Sequence, residues 1–349
     1  MNGVGRAAFG TNRSDGTMVG MTTRWRTTLA VVLLVLVLAP AGGFGCDSTG
    51  CLMVTRSAGG LLPRKGFRID FSFRATDDSL LMSGSDTTDR VTRPKVDFEH
   101  GLVRPGFHQD LGGTSQFVQL DLGYGLTGHT TLLASAPIVT HRSYDIGHPP
   151  VLTENYETWG LGDTLVGARH AFMASAGTSL VAGLALEMPT GDFKLISSGA
   201  LFDIGVLDPM LQPGSGSWDF VGNLQASHRL TPGGLDLTGA FSYQLNTTND
   251  LEYRYGNDTI ASTSLGGPVG SRVRASMQLK LVHRGRSTFQ GEDVSSTGGT
   301  VVYAIPGLVT SLPGKMSVYL FLPVPVYRYV NESQLAPRLS VVVGMARVF

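Results

Sequence analysis

The sequence predicts an all-β protein, an antiparallel transmembrane β-barrel of roughly 12 strands, within the even-numbered range of bacterial barrels. Three observations carry that expectation. After an N-terminal apolar run, helical periodicity is almost absent and segment after segment alternates with period two. Several segments reach about ten residues, the length a tilted strand needs to cross a bilayer and more than the usual five or six of soluble strands. The connections alternate between tight turns and long polar loops, as in outer-membrane barrels.

The composition fits. The chain has 46 glycines, 15 % charged residues and a formal net charge of zero. Glycine is at about twice its usual share and charge well below the usual quarter. The polar surface must therefore come mainly from Ser, Thr, Gly, Asn and Gln. No basic patch offers itself to nucleic acid.

At the front, Arg24 and Arg26 precede "TTLAVVLLVLVLAPAGG", which ends at the small-residue site Ala39-Pro40-Ala41. A basic region, a short apolar core and an A-x-A site read as a secretory signal. The uninterrupted core from Leu29 to Ala39 is too short for a bilayer-spanning helix. Met21 would begin a more ordinary signal. Residues 1–41 are thus expected to be leader and signal, and 42–66 a periplasmic or plug segment before a barrel over 67–349. Within that segment Cys46 and Cys51 are expected to form a disulfide in an exported protein. Two other readings stay open: a thiolate site for a soft metal with Met53 nearby, and a lipid anchor on Cys46.

The strands follow in order. Weak alternation over Phe67–Arg74 opens the barrel, with one or two strands hidden between Arg90 and Phe107. In "SQFVQLDLGYGL", Val118, Leu120, Leu122, Tyr124 and Leu126 alternate with Gln119, Asp121 and Gly123. Weaker copies cover Thr130–Pro137, Gly162–Phe172 and Ser179–Met188. "GSWDFVGNLQASHRL" sets Trp218, Phe220, Leu224 and Ala226 against Asp219, Asn223, Gln225, Ser227 and Arg229. "GGLDLTGAFSYQL" sets Leu235, Leu237, Phe241, Tyr243 and Leu245 against Asp236, Thr238, Ser242 and Gln244. In "SRVRASMQLKLVHR" the apolar series from Val273 to Leu281 alternates with Arg272, Arg274, Ser276, Gln278 and Lys280. Further segments run over Val301–Val309, Met316–Tyr329 and Arg338–Phe349. Residues 230–234 and 311–314 read as tight turns, and 141–160 and 246–270 as long polar loops.

A soluble β-sandwich alternates as well, but its apolar face is a core. Here the polar faces are rich in Gly, Ser, Asn, Gln and Asp rather than Lys and Glu. Aromatics sit near segment ends, at Tyr124, Trp159, Phe172, Trp218, Tyr243 and Phe349, as interfacial girdles require. The apolar face is therefore assigned to outer-membrane lipid and the polar face to the lumen. Because lipid cannot satisfy an open edge, the sheet must close.

"GLGDTLVGARHAF", "LALEMPTGDF" and "GSGSWDFVGNLQASHRL", in that order, resemble the outer-membrane family named after phenol meta-pathway degradation. The shared features are a Gly-x-Gly-Asp strand entry at Gly160–Asp163, a Pro-Thr-Gly-Asp turn at Pro189–Asp192 and a Gly-x-Gly-Ser-Trp-Asp entry at Gly214–Asp219. "YRYG" at residues 253–256 is similar to that family's external loop. The resemblance covers mainly residues 115–260 and the last strand, and does not extend to residues 42–100. It implies a barrel and transport of small, often hydrophobic, molecules.

Chemistry offers little else. There is no phosphate loop, no Gly-x-Ser-x-Gly elbow and no His-Glu-x-x-His pattern. His100, His108, His129, His141 and His148 are dispersed at spacings unsuited to ligation, so no metal, cofactor or catalytic residue is expected. The candidate functional residues are instead lumen-lining charges: Asp121, Asp163, Arg169, Glu187, Asp219, Arg229, Asp236, Arg272, Arg274, Lys280 and Arg338. Opposed rings of charge set selectivity in a pore, while the same charges in a narrow barrel could form a filling salt-bridge network. The expected function is passive passage of small solutes; the alternative is a scaffold docking a partner, metal- or redox-linked through the Cys pair. The final segment "LSVVVGMARVF" reads as the closing strand, with Leu339, Val341, Val343, Met345 and Phe349 toward lipid. Phe349 is the expected signal for the barrel-assembly machinery.

Overall fold

The computed structural model describes residues 61–148, 152–175, 177–196 and 205–349. The expected leader and signal segment and the expected Cys46–Cys51 disulfide lie outside these residues.

Twelve antiparallel strands close into a barrel. They are β1 (Phe67–Asp77), β2 (Leu102–Gly125), β3 (Thr130–His148), β4 (Thr164–Ala174), β5 (Thr178–Met188) and β6 (Asp219–Arg229). The second half comprises β7 (Asp236–Leu245), β8 (Asp258–Pro268), β9 (Val273–Arg284), β10 (Gly299–Leu312), β11 (Met316–Phe321) and β12 (Leu339–Val348). Each pairs with its neighbours in order, and β12 returns to β1 with Arg68 opposite Val348 and Asp77 opposite Leu339. Closure leaves no strand edge to satisfy in lipid.

Burial follows the sequence parity. On β6, Asp219, Val221, Asn223 and Gln225 are buried while Phe220 and Leu224 are exposed. On β9, Gln278 and Lys280 are buried while Met277, Leu279 and Leu281 are exposed. In a closed barrel the buried series is the interior and the exposed apolar series faces lipid. On β12, Leu339, Met345 and Phe349 are exposed and Ser340, Val342 and Ala346 buried. The Phe349 N–H donates to the Phe67 carbonyl at 2.8 Å, and the Arg347 guanidinium lies 4.6 Å over the Phe349 ring. The apolar parity of β12 thus ends on a cation folded back over the last aromatic ring, within reach of headgroups.

The ends of the barrel differ. Residues 126–129, 230–235, 269–272 and 313–315 form short connections at the end that holds Phe67 and Phe349. Long connections occupy the other end. In outer-membrane barrels short turns are periplasmic and long loops external.

Three details depart from the sequence reading. Residues 246–270 are not all loop: β8 occupies Asp258–Pro268 and pairs with both β7 and β9. Its outward residues Thr259, Ala261, Thr263 and Leu265 carry little apolar contrast, so alternation could not reveal it. Residues 141–160 are not all loop either: the upper half of β3, through His148, pairs antiparallel with Leu152–Gly160. The segment between Arg90 and Phe107 holds the start of β2 and the strand Val91–Asp97, which pairs with the outer part of β2 as a rim hairpin and is not one of the twelve.

The interior is also less polar than alternation implies. Ile260, Val282, Tyr303, Ile305, Tyr319, Phe321 and Val342 form a buried cluster along β8–β12. Leu165, Ala185 and Val221 form another on β4–β6. Apolar residues of both parities in "VVYAIPGLV" and "VYLF" hid this wall.

Candidate functional site: the barrel lumen

The three glycine-rich motifs meet at one point of the wall. There the sheet is interrupted, with residues 161–163 lying between Leu152–Gly160 and β4. The Gly162 N–H donates to the Pro137 carbonyl at 2.8 Å, bridging the gap to β3. Asp163 is buried, and its carboxylate accepts the N–H groups of Gly191 at 2.9 Å and Ser215 at 2.5 Å. One side chain of the first motif thus ties down the second and the third. A Cβ on Gly191 would lie 2.6 Å from the Leu161 carbonyl oxygen and 2.9 Å from the Gly214 Cα. Both contacts are to backbone, so a side chain cannot be accommodated and glycine is required for the close approach. Asp219 works similarly, accepting the Thr247 N–H at 2.8 Å and the Ser217 hydroxyl at 3.1 Å.

This knot anchors a loop that folds inward. Its short 3-10 turn, Pro209–Leu211, is buried and is capped by Asp208, which accepts the Met210 N–H at 3.0 Å. The turn's carbonyls are held by the wall: Arg142 donates to Met210 at 2.7 Å, Thr158 to Leu211 at 2.6 Å and Tyr255 to Pro209 at 2.8 Å. Met210 and Leu211 pack with Tyr144, Ile146, Tyr156 and Leu335. Burial holds the Tyr255 phenol far above its ordinary range, so it remains a donor.

A cavity of about 220 Å³ lies beneath this loop, and a second of about 480 Å³ at the turn end. Between them is a belt of buried side chains that includes Asp70, Arg74, Phe117, Gln119, Lys280 and Tyr319. Tyr319 donates to Asp70 at 2.7 Å, Arg74 lies 4.5 Å over the Phe117 ring and Lys280 5.8 Å over Tyr303. At the turn end Leu62 is buried, and its N–H donates to the Thr131 hydroxyl at 3.0 Å. Leu61 and Leu62 therefore lie in the lumen at this end.

The candidate charges distribute between these regions. Asp163, Glu187 and Asp219 border the loop-end cavity, where Gln244 donates to Glu187 at 2.6 Å. Asp121 accepts from Gln119 at 2.6 Å beside the belt. Arg169, Arg229, Asp236 and Arg274 border the turn-end cavity, with Asp236 2.7 Å from Arg274 and 3.3 Å from Arg229. Arg272 lies in the turn before β9 and Arg338 in the break before β12; both are exposed. Sequence reading missed Arg74, Phe117, Arg142 and Tyr319. The alternation Asp70-Ser72-Arg74 on β1 would have indicated Arg74, and Phe117 shares the parity of Gln119 and Asp121, but nothing local marks Tyr319 as interior. Among the described residues, no group of three His, Cys, Asp or Glu side chains is placed to hold a metal ion.

Residues 96–322 match the family described as "Putative MetA-pathway of phenol degradation". No curated protein matches the chain. Among solved structures, the COG4313 outer membrane channel from Pseudomonas putida F1 is similar at 14 % identity, over 82 % of this chain and 97 % of that one, with a TM-score of 0.54. The P. putida toluene transporter TodX aligns at 10 % identity over 81 % and 90 % of the two chains, with a TM-score of 0.38. The first likeness is one of fold.

Proposed function

The chain belongs to the phenol-degradation MetA-pathway family, and from that premise we propose that it is an outer-membrane channel for passive passage of small solutes, hydrophobic ones among them. The observation that carries this reading is the interior: two cavities in line, bordered by charged side chains and by the aromatic and aliphatic wall of β8–β12. Such a lining offers a partly apolar solute contact on one side and orienting charges on the other. The similarity to an outer membrane channel supports it, and the exposed aromatic residues Phe172, Trp218 and Phe349 suit lipid interfaces.

Purified protein in liposomes is expected to raise solute leakage, with small uncharged aromatics passing faster than sugars of similar size. Unchanged leakage from correctly inserted protein would overturn the channel. It would favour a docking scaffold, a second reading supported by the buried belt between the cavities. Outer-membrane residence predicts heat-modifiable gel mobility and recovery in the outer-membrane fraction. Deletion of Phe349 is expected to lower that recovery, and full recovery without it would remove the assembly role.

A further inference from the structure

The two cavities are lined by opposite excesses of formally charged side chains. At the loop end five carboxylates, Asp163, Glu187, Asp208, Asp219 and Asp258, face three guanidiniums, Arg93, Arg142 and Arg284. Arg284 is closely matched there, donating twice to Asp258 at 2.7 and 2.8 Å. At the turn end the described lining has three guanidiniums, Arg169, Arg229 and Arg274, and one carboxylate, Asp236. Asp236 contacts Arg229 and Arg274 and can balance one of their two charges. Arg169 reaches this cavity from β4, where its Cγ lies 3.0 Å from the position a Cβ on Gly183 would take. The absence of a side chain at Gly183 gives that arginine its place.

From this distribution we infer that the turn-end cavity is an anion-binding vestibule, for small carboxylates and inorganic anions, and that the barrel is a bipolar pore. The inference rests on the channel reading above. In a narrow passage with low-dielectric walls, fixed charge enriches ions of opposite sign. Cations enter from the loop end and anions from the turn end when the loop side is positive, so both accumulate and current is high. Under the opposite voltage both are drawn out and current falls.

The experiment is single-molecule conductance of the full-length mature protein in planar bilayers of neutral lipid, with potassium chloride on both sides. At about 0.1 M salt, where the Debye length is about 10 Å, currents at opposite voltages are expected to differ roughly twofold; at about 1 M, with about 3 Å screening, the difference should vanish. The double variant Arg229→Gln/Arg274→Gln is expected to abolish the asymmetry, and Asp236→Asn to increase it. These side chains are partly exposed, and heat-modifiable mobility checks that each variant is folded. Gluconate added on the turn side, but not the loop side, should reduce chloride current in the wild type and not in the double variant. Folded protein that conducts nothing would overturn the channel reading. Conductance that is symmetric at low salt, or asymmetry unchanged in these variants, would overturn this inference and leave the channel standing.

Discussion

At the loop end of the lumen, Asp163 and Asp219 direct their carboxylates at backbone N–H groups, whereas at the turn end Asp236 meets guanidinium groups beside an open cavity. The residue type is the same and the consequence differs. A buried carboxylate holding backbone donors shapes the chain, and its removal orphans those donors. A half-exposed carboxylate between arginines adjusts local charge at small cost to the fold. The loop-end half of this barrel is therefore built, with a knot and an inward loop. The turn-end half lacks such a knot, and the pairs of Asp236 with Arg229 and Arg274 are partly exposed beside its cavity.

Substitutions at each end can break or sharpen that contrast. The largest effect is expected for Asp163→Ala, which removes two charge-assisted hydrogen bonds worth about 1.5–3 kcal/mol each. Thermal loss of the folded gel band should shift strongly downward, and residues 205–217 should become open to proteolysis; an unaltered protein would mean that the motifs do not depend on this carboxylate. Gly344→Val tests the belt between the two halves. A Cβ there would lie 2.3 Å from the Tyr319 hydroxyl and 2.6 Å from the Phe71 carbonyl oxygen, so overpacking of about 1–3 kcal/mol is expected. Altered conductance with moderate destabilisation would place the belt in the conduction path.

Asp236→Asn should change stability by less than about 1 kcal/mol, as for exposed ion pairs, although it alters the current. A loss as large as that of Asp163→Ala would erase the distinction between the halves. The smallest effect concerns pH at the outer rim. Arg286 forms two bonds to Glu332, at 2.6 and 2.9 Å, and these hold the carboxyl below its ordinary range, with help from the Ser296 N–H. A depressed folded pKa means that the contribution is present above the unfolded value of about 4.3 and is lost as pH falls through the folded one. Both side chains are partly exposed, so the effect stays on the surface-pair scale, under about 1 kcal/mol. Hydrogen exchange of residues 285–298 should rise in acid, and Glu332→Gln should remove that pH dependence.

Alternation in the sequence was enough to place Asp219, Gln225, Lys280 and Ser340 inside, and Phe220, Leu279 and Phe349 outside. It missed β8, whose Thr and Ala offer lipid little contrast with the lumen side. It also treated the interior as uniformly polar, because parity is ambiguous where both faces of β10 and β11 are apolar. Burial of Asp219, Glu187 and Lys280 follows the parity of their strands. Phe117 was readable only through the parity it shares with Gln119 and Asp121, and Tyr319 was not, since an apolar run hides which of its residues point inward.

What the sequence determined by itself is the barrel and the facing of its clear strands. A period of two, strands long enough for a bilayer and alternating loop lengths are local properties, and the need to satisfy every backbone group in lipid converts them into closure. The tertiary structure decided which inward groups meet. The convergence of Asp163, Gly191 and Ser215, the descent of Pro209–Leu211 into the mouth and the separation of a carboxylate-rich cavity from an arginine-rich one all depend on contacts between strands distant in the chain. Parity says that a side chain points inward, whereas only the closed curvature of the sheet sets its height and what stands across from it.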